Sequence, residues 1–309
     1  MDLITGGDAL PAHLRGGIAA LGNFDGFHAG HQAVVGAARD WAHKLGRPAL
    51  VASFDPHPAR LFQPDLPPFS LSTMSQRGEW LSAFGMDGAV VMPFTRALAA
   101  LSAEEFVDEW LVTRLGVAGV VTGGDFTFGR GRSGSVTDLS RLGLANGFAA
   151  RVVNEVQDDA GTISSTRIRS LLRDGRPGMA ADLLTRPFSI RGVVEHGAKL
   201  GRTLGFPTAN MVLGDYVRPA YGVYAVQVVL PSGERVDGVA NLGIRPMIEP
   251  RQELLETWLM DWSGDLYGQT LDVELVAYLR PEMKLAGLEA LKAQIAADAG
   301  AARRMLKGA

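Results

Sequence analysis

Two histidines three residues apart close the stretch Gly22-Asn23-Phe24-Asp25-Gly26-Phe27-His28-Ala29-Gly30-His31. An apolar run, Ile18 to Leu21, precedes it and reads as a strand; Gln32 to Leu45 follows and reads as a helix. Backbone N–H groups at a strand-to-helix turn have no helical partner, so they suit an anion. Glycines let the backbone come close to that anion, and His28 and His31 add donors for phosphate oxygens. The chemistry this points to is nucleotidyl transfer on a phosphate cradle. Taken alone, two histidines near a turn are usually surface residues or caps. The strand, the Gly-Asn-Phe-Asp-Gly lead-in and the helix turn the reading toward a nucleotide site.

Other segments could add to such a site. Ile163-Ser164-Ser165-Thr166-Arg167-Ile168-Arg169 opens a short helix, where hydroxyls, free N–H groups and a guanidinium together make a triphosphate clamp. By itself it reads as a capped helix with solvated arginines. Phe54-Asp55-Pro56-His57-Pro58 ends the second strand, either shaping the site or forming a rigid turn. Gly129-Arg130-Gly131-Arg132-Ser133-Gly134 fits G-x-G-x-x-G, but Gly123 to Phe128 separates it from the strand, which argues against a dinucleotide fingerprint. An arginine-bearing loop over a bound nucleotide, or a plain surface loop, fits better.

Later in the chain, Gly201-Arg202-Thr203-Leu204-Gly205-Phe206-Pro207-Thr208-Ala209-Asn210 is dense in turn formers. Thr208 and Asn210 are two apart, so on an extended segment they point the same way. Their oxygens are hard ligands suited to magnesium, and the alternative is a polar turn. Glu256 stands among apolar strand residues, as a base or as an outward-facing residue. No G-x-x-x-x-G-K-[ST] occurs, so any phosphoryl transfer is not P-loop chemistry.

The elements that must position these residues follow from the pattern. The 309 residues allow about two domains. With 47% hydrophobic and 20% charged residues, a packed core is expected. A net charge of -3 argues against a general polyanion binder such as a nucleic-acid protein. There is no cysteine, which excludes disulfides and thiolate metal sites. No apolar run approaches the roughly 18 residues of a membrane span. No secretory signal is evident, and a cytoplasmic enzyme is expected.

Strand-like runs at Ile18–Leu21, Ala49–Phe54, Ala89–Met92, Val117–Thr122 and Ala149–Val153 alternate with helices. Ser102 and Glu105 form a capping box ahead of Phe106, Trp110, Leu111 and Leu115. This alternation predicts a parallel sheet with helices on both sides, binding ligands at the carboxyl ends of its strands. After residue 186 come β-type runs at Phe188–Val194, Val223–Val229, Arg235–Asn241, Leu254–Met260 and Thr270–Leu279, then a helix from Leu288 to Leu306. They read as a small antiparallel barrel or sandwich.

On these motifs the chain resembles the bifunctional prokaryotic riboflavin kinase/FAD synthetase family over essentially its whole length. The N-terminal likeness rests on Gly22–His31, Phe54–Pro58, Gly124–Gly134 and Ile163–Arg169. The C-terminal likeness rests on Gly201–Asn210, Tyr221–Tyr224, Gly238–Gly243, Glu256 and Asp265–Gly268. The resemblance implies a Rossmann-like, nucleotidyltransferase-type α/β sheet over residues 1–186. It implies a six-stranded antiparallel β-barrel with a C-terminal helix over 187–309. The first would join FMN to the AMP part of ATP, giving FAD and pyrophosphate. The second would phosphorylate riboflavin with ATP.

By position, His28, His31 and Arg169 resemble the family's catalytic phosphate contacts, and Glu256 its proposed base. Gly22, Asn23, Phe24, Asp25, Gly26, Gly30 and Asp125 resemble its nucleotide loops, with Ser164, Ser165 and Thr166 a second phosphate element. In the kinase, Gly201, Arg202, Gly205 and Pro207 resemble the nucleotide turn, and Thr208 and Asn210 the magnesium-linked pair. The implied cofactor is Mg²⁺ with ATP; riboflavin, FMN and FAD are substrates or products. No membrane or nucleic-acid partner is implied. Two departures stand out: Met247 where the family usually has threonine, and Leu285 where it often has phenylalanine. Loss of the hydroxyl at 247 bears on the kinase, so a chain with one working activity is one alternative. A flavin or nucleotide sensor is another, although it would have no need of groups for turnover.

Overall fold

A computed structural model of the chain describes residues 1–6, 10–196, 205–245 and 252–307. Gly201, Arg202 and Met247 therefore lie outside the described residues. By its internal contacts the chain forms two compact units, residues 1–67 with 74–164, and residues 68–73 with 165–309.

The first unit carries the strands β1 (Asp2–Thr5), β2 (Ile18–Leu21), β3 (Ala49–Asp55), β4 (Gly88–Pro93), β5 (Gly119–Gly123) and β6 (Ala149–Val153). They form one parallel sheet in the order β1-β4-β3-β2-β5-β6. The helices α1 (Ala29–Lys44), α2 (Pro58–Phe62), α3 (Met74–Ala83), α4 (Arg96–Ala100), α5 (Ala103–Phe106) and α6 (Val136–Ala145) connect them. All four β2 residues are buried, as expected for a parallel strand covered on both faces. Ala19 and Leu21 pack toward Phe106, Leu111 and Leu139, while Ile18 and Ala20 pack toward Val35, Ala38 and Trp41 of α1. The Ser102–Glu105 capping box starts α5, and the chain then continues as a π-helix from Val107 to Arg114. A small hairpin, β7 (Gln157–Asp158) with β8 (Gly161–Thr162), ends the unit.

The second unit begins with α7 (Ser165–Arg173) and α8 (Pro177–Leu184). Its strands are β9 (Phe188–Val193), β10 (Thr208–Val212), β11 (Gly222–Val229), β12 (Arg235–Arg245), β13 (Gln252–Leu259) and β14 (Thr270–Arg280). They form an antiparallel sheet in the order β10-β13-β12-β11-β14-β9. The sheet curls until its edges meet: just past β9, the Glu195 N–H donates to the Asn210 carbonyl at 2.8 Å. One face holds Met211, Tyr224, Ala240, Leu242, Leu255 and Thr257, all fully buried. On the other, the C-terminal helix Leu288–Leu306 sets Ala299, Ala302 and Leu306 against Val223, Ala225 and Val239.

Residues 68–73 add a strand fragment to this unit. Ser70 N–H donates to the Asp215 carbonyl at 2.9 Å, and Val217 N–H donates to the Ser70 carbonyl at 2.8 Å. The Ala220 N–H also reaches Leu172 of α7 at 3.0 Å. Leu172, Leu183 and Leu184 are buried, and burial of such a side chain contributes about 1.5–3 kcal/mol. A fragment of residues 165–309 should therefore resist urea to a higher midpoint than one of residues 187–309. Equal midpoints would show that α7 and α8 lend the barrel no stability.

Candidate functional site

The winding of the parallel sheet reverses at β2. β3 and β4 follow on one side of it, and β5 and β6 on the other. Such a switch point opens a crevice beyond the strands' carboxyl ends. Gly22 to His31 leaves β2 there, and Gly123 to Asp125 leaves the adjacent β5. The two loops read from sequence as nucleotide elements thus flank the crevice. Thr122, at the end of β5, is fully buried there, with no protein partner for its hydroxyl among the described residues.

Local geometry explains the residue types of the turn. His28 is the N-cap of α1, and its Nδ1 accepts the His31 N–H at 3.4 Å. Capping by Nδ1 leaves the proton on Nε2 in neutral His28. The two imidazoles stack with centroids 3.6 Å apart, and the Phe24 ring meets His31 edge-on at 5.4 Å. Glycine suits the positions where these groups crowd the backbone. A Cβ at Gly30 would lie 3.1 Å from His28 Cε1 and 3.2 Å from the Ile163 carbonyl, and one at Gly22 would lie 3.1 Å from the Phe24 ring. Ile163 thus runs beside the turn, and half-buried Ser164 follows it directly. Phe24 and Phe27 are buried with φ of 51° and 39°. Left-handed backbone at such residues costs about 1–3 kcal/mol each and persists only where surrounding bonds fix it.

Those bonds are visible. The Asn23 carbonyl accepts from Ser53 Oγ at 3.1 Å and from Arg77 at 3.0 Å, and the Phe27 carbonyl accepts from Gln32 at 3.0 Å. Arg77 lies on α3 and had no signal in the sequence reading. Burial lowers its pKa, with Asp25 and Asp55 acting in the opposite sense. Asp25 is buried beside the turn, whereas Asp125 is exposed in the β5 loop. Ser165, half-buried, Thr166, exposed, and Arg169 stand on α7 in the second unit. Arg169 Nε donates to the Phe69 carbonyl at 2.7 Å. His57 caps α2 by accepting the Ala59 N–H, a role for the Phe54–Pro58 motif that is at least structural.

In the second unit, cross-strand register builds a polar row. Asn210 of β10 pairs with Glu256 of β13, and Glu256 pairs with Asn241 of β12. Paired residues share a face, so Asn210, Glu256 and Asn241 line up, with Thr208 and Trp258 beside them. This is the face opposite the buried interior. Glu256 is half-buried and Asn210 buried. Asn210 Nδ2 donates to the Thr208 carbonyl at 3.2 Å, which turns its Oδ1 the other way. Beside this pair a cavity of about 260 Å³ is lined by Pro207, Thr208, Asn210, Trp262, Asp265 and Tyr267. Gly205 precedes it with φ of 86°. His196 packs against the Tyr267 ring at 3.9 Å. Aromatic residues in this cavity were not separable from ordinary strand residues by spacing.

Elsewhere in this unit, the Tyr221 hydroxyl donates to Glu253, which also accepts from Arg218 at 2.6 Å. Burial first, then the Glu253 carboxylate, pushes Tyr221 up to about 12. Burial works to raise Glu253, but the donors from Tyr221 and Arg218 outweigh it and hold the carboxyl below its usual range. Among the described residues, no cluster of three or more His, Cys, Asp or Glu could hold a metal, and no helix is long and apolar enough to cross a membrane.

Comparison with known proteins finds two families along the chain. The FAD synthetase family matches residues 10–167, and the riboflavin kinase family matches residues 184–306. A bifunctional riboflavin kinase/FMN adenylyltransferase of Pseudomonas fluorescens is 40% identical over 306 residues, covering 99% of this chain and 98% of the relative. The chain belongs to the bifunctional riboflavin kinase/FMN adenylyltransferase family. The Escherichia coli K12 member is 39% identical over 289 residues, 94% of this chain and 92% of that one. A crystal structure titled as a macrolide-efflux protein from Streptococcus pneumoniae matches with a TM-score of 0.88 and 30% identity, covering 98% of this chain and 99% of that one.

His28 caps α1, and the sequence motif leads us to expect an anion contact from it as well. The His28→Ala variant should lose about 0.5–2 kcal/mol of stability with its cap. It should also bind pyrophosphate more weakly in calorimetry. Unchanged pyrophosphate binding would remove His28 from the anion site.

Proposed function

We infer that this chain makes FMN from riboflavin and ATP, and FAD from FMN and a second ATP. The observation that carries the reading is that the histidine turn and the Thr208–Asn210–Glu256 set stand on different compact units, although Ser165, Thr166 and Arg169 stand with the second. His28 and His31 stand at the switch point of the parallel sheet, and Thr208, Asn210 and Glu256 on one face of the barrel. FAD formation is assigned to residues 1–186 and FMN formation to residues 187–309.

In the kinase, Glu256 takes the proton from the ribityl 5′-hydroxyl as that oxygen attacks the γ-phosphorus, and ADP leaves. Two neutral oxygens on one strand face, Thr208 Oγ1 and Asn210 Oδ1, fit a magnesium ion that keeps phosphate and water ligands. When bound there, the ion neutralises charge on the phosphate oxygens. The cavity beside Pro207 takes the nucleotide, with Gly205 at its entry.

In the adenylyltransferase, an FMN phosphate oxygen attacks the α-phosphorus of ATP, and pyrophosphate leaves. This nucleophile is already ionised and needs no base. Catalysis is positioning plus stabilisation of developing charge. His28, His31 and the backbone N–H groups of Ala29 and Gly30 at the start of α1 supply it. Gly22, Asn23, Phe24, Asp25, Gly26 and Gly30 shape the cradle, Asp125 borders it, and Ser164 follows beside it. Ser165, Thr166 and Arg169 are proposed phosphate contacts on the strength of the sequence motif alone.

The Glu256→Gln variant tests the assignment. The amide keeps the size of the side chain but cannot take a proton at neutral pH. A positioned base contributes about 10²–10⁴-fold, so riboflavin phosphorylation should fall by that order, less where the transition state is loose. FAD formation from supplied FMN should persist at the parent rate. A variant that phosphorylates riboflavin normally would return Glu256 to a structural role, and a parent chain that makes neither FMN nor FAD would overturn the function.

A further inference from the structure

We propose that Arg77 is a positioning residue for adenylyl transfer, setting the Gly22–His28 turn through the Asn23 carbonyl. The inference rests on the adenylyltransferase reading above and adds a residue to it.

The Asn23 carbonyl accepts two side-chain donors, Ser53 Oγ at 3.1 Å and an Arg77 terminal nitrogen at 3.0 Å. Both come from outside the turn, Ser53 from β3 and Arg77 from α3. The turn they grip holds two aromatic residues with positive φ, Phe24 and Phe27. Such backbone does not hold itself in place. The clamp acts one residue before Phe24 and five before His28. The Asn23 side chain cannot supply the restraint: its Oδ1 is shielded from solvent with no protein partner among the described residues.

Arg77 is also costly to keep. It is half-buried, and its Nε is shielded without a protein partner. The carboxylates of Asp25, buried in the turn, and Asp55, at the end of β3, counter only part of the desolvation of its charge. A guanidinium that served only to fill space would be better replaced by an apolar chain. Its geometry instead ties α3, β3 and the turn together at the carbonyl that precedes the strained residues. With its terminal nitrogen on the Asn23 carbonyl, Arg77 acts through the turn.

The test compares Arg77→Met, Arg77→Lys, Ser53→Ala and the double variant Arg77→Met/Ser53→Ala in the full chain. FAD formation from supplied FMN and ATP is measured alongside riboflavin phosphorylation. A misplaced reactive group costs about 10²-fold, so Arg77→Met should lower the kcat of FAD formation toward that order. Its riboflavin phosphorylation should stay at the parent level. Arg77→Lys keeps a donor and the charge, and should recover most of the loss. Because Ser53 and Arg77 hold one carbonyl, the double variant should lose less than the product of the single effects.

A folded Arg77→Met variant with parent FAD rates overturns the proposal, as does a Lys variant no better than Met. Independent effects of Ser53 and Arg77 also overturn it. If Arg77→Met does not fold, Arg77→Gln takes its place in the cycle and is judged by the same outcomes. A parent chain that makes no FAD from FMN and ATP overturns the adenylyltransferase reading itself, a result distinct from all of these.

Discussion

A parallel sheet offers a ligand crevice only where its winding changes direction, and here that change falls between β2 and β5. The first unit is arranged around this one constraint. β2 must be short and buried on both faces to sit at the centre of the sheet, which its sequence Ile-Ala-Ala-Leu satisfies. The chain must then leave the sheet and begin α1 within a few residues. His28 meets that demand by capping the helix, and the glycines at 22 and 30 allow the rings of Phe24, His28 and His31 to crowd the backbone. The backbone strain this creates is held by bonds from β3, α1 and α3, so the neighbouring elements serve the turn as much as the core.

The barrel solves a different problem with different means. Antiparallel register places Asn210, Glu256 and Asn241 side by side without any special turn. The alternation of faces sends Met211, Leu255 and Leu242 inward on the same three strands. The C-terminal helix covers the apolar part of the outer face at Val223, Ala225 and Val239. The polar row beside it belongs to the same face. A single-residue slip of β13 would exchange Glu256 for buried Leu255, so the core fixes the chemistry's register.

Much of this was legible in the sequence because it follows from periodicity and capping. The bounds of β2, β6 and the C-terminal helix match the apolar pattern, and the Ser102–Glu105 box forms as its spacing requires. What escaped had physical reasons. β1 buries one residue of four, so it has no apolar run to read. β7 and β8 are two residues each. β10 follows glycines and a proline, which made its start look like a turn. The π-helical path from Val107 to Arg114 buries Trp110 and Leu111 as a regular helix would, so the pattern could not distinguish them. In the site, the histidine turn was legible because its residue types are unusual together. Arg77 was not, because a lone arginine on a helix has no spacing, and its importance comes only from the carbonyl it reaches.

Two separate sites on one chain would break two different bonds of ATP. The most direct measurement follows the phosphorus. Riboflavin is incubated with ATP labelled at either the γ- or the α-phosphate, and FMN and FAD are separated before counting. The γ-label should enter both FMN and FAD, and the α-label should enter FAD but not FMN. Alpha-label in FMN, or FAD without α-label, would contradict this assignment.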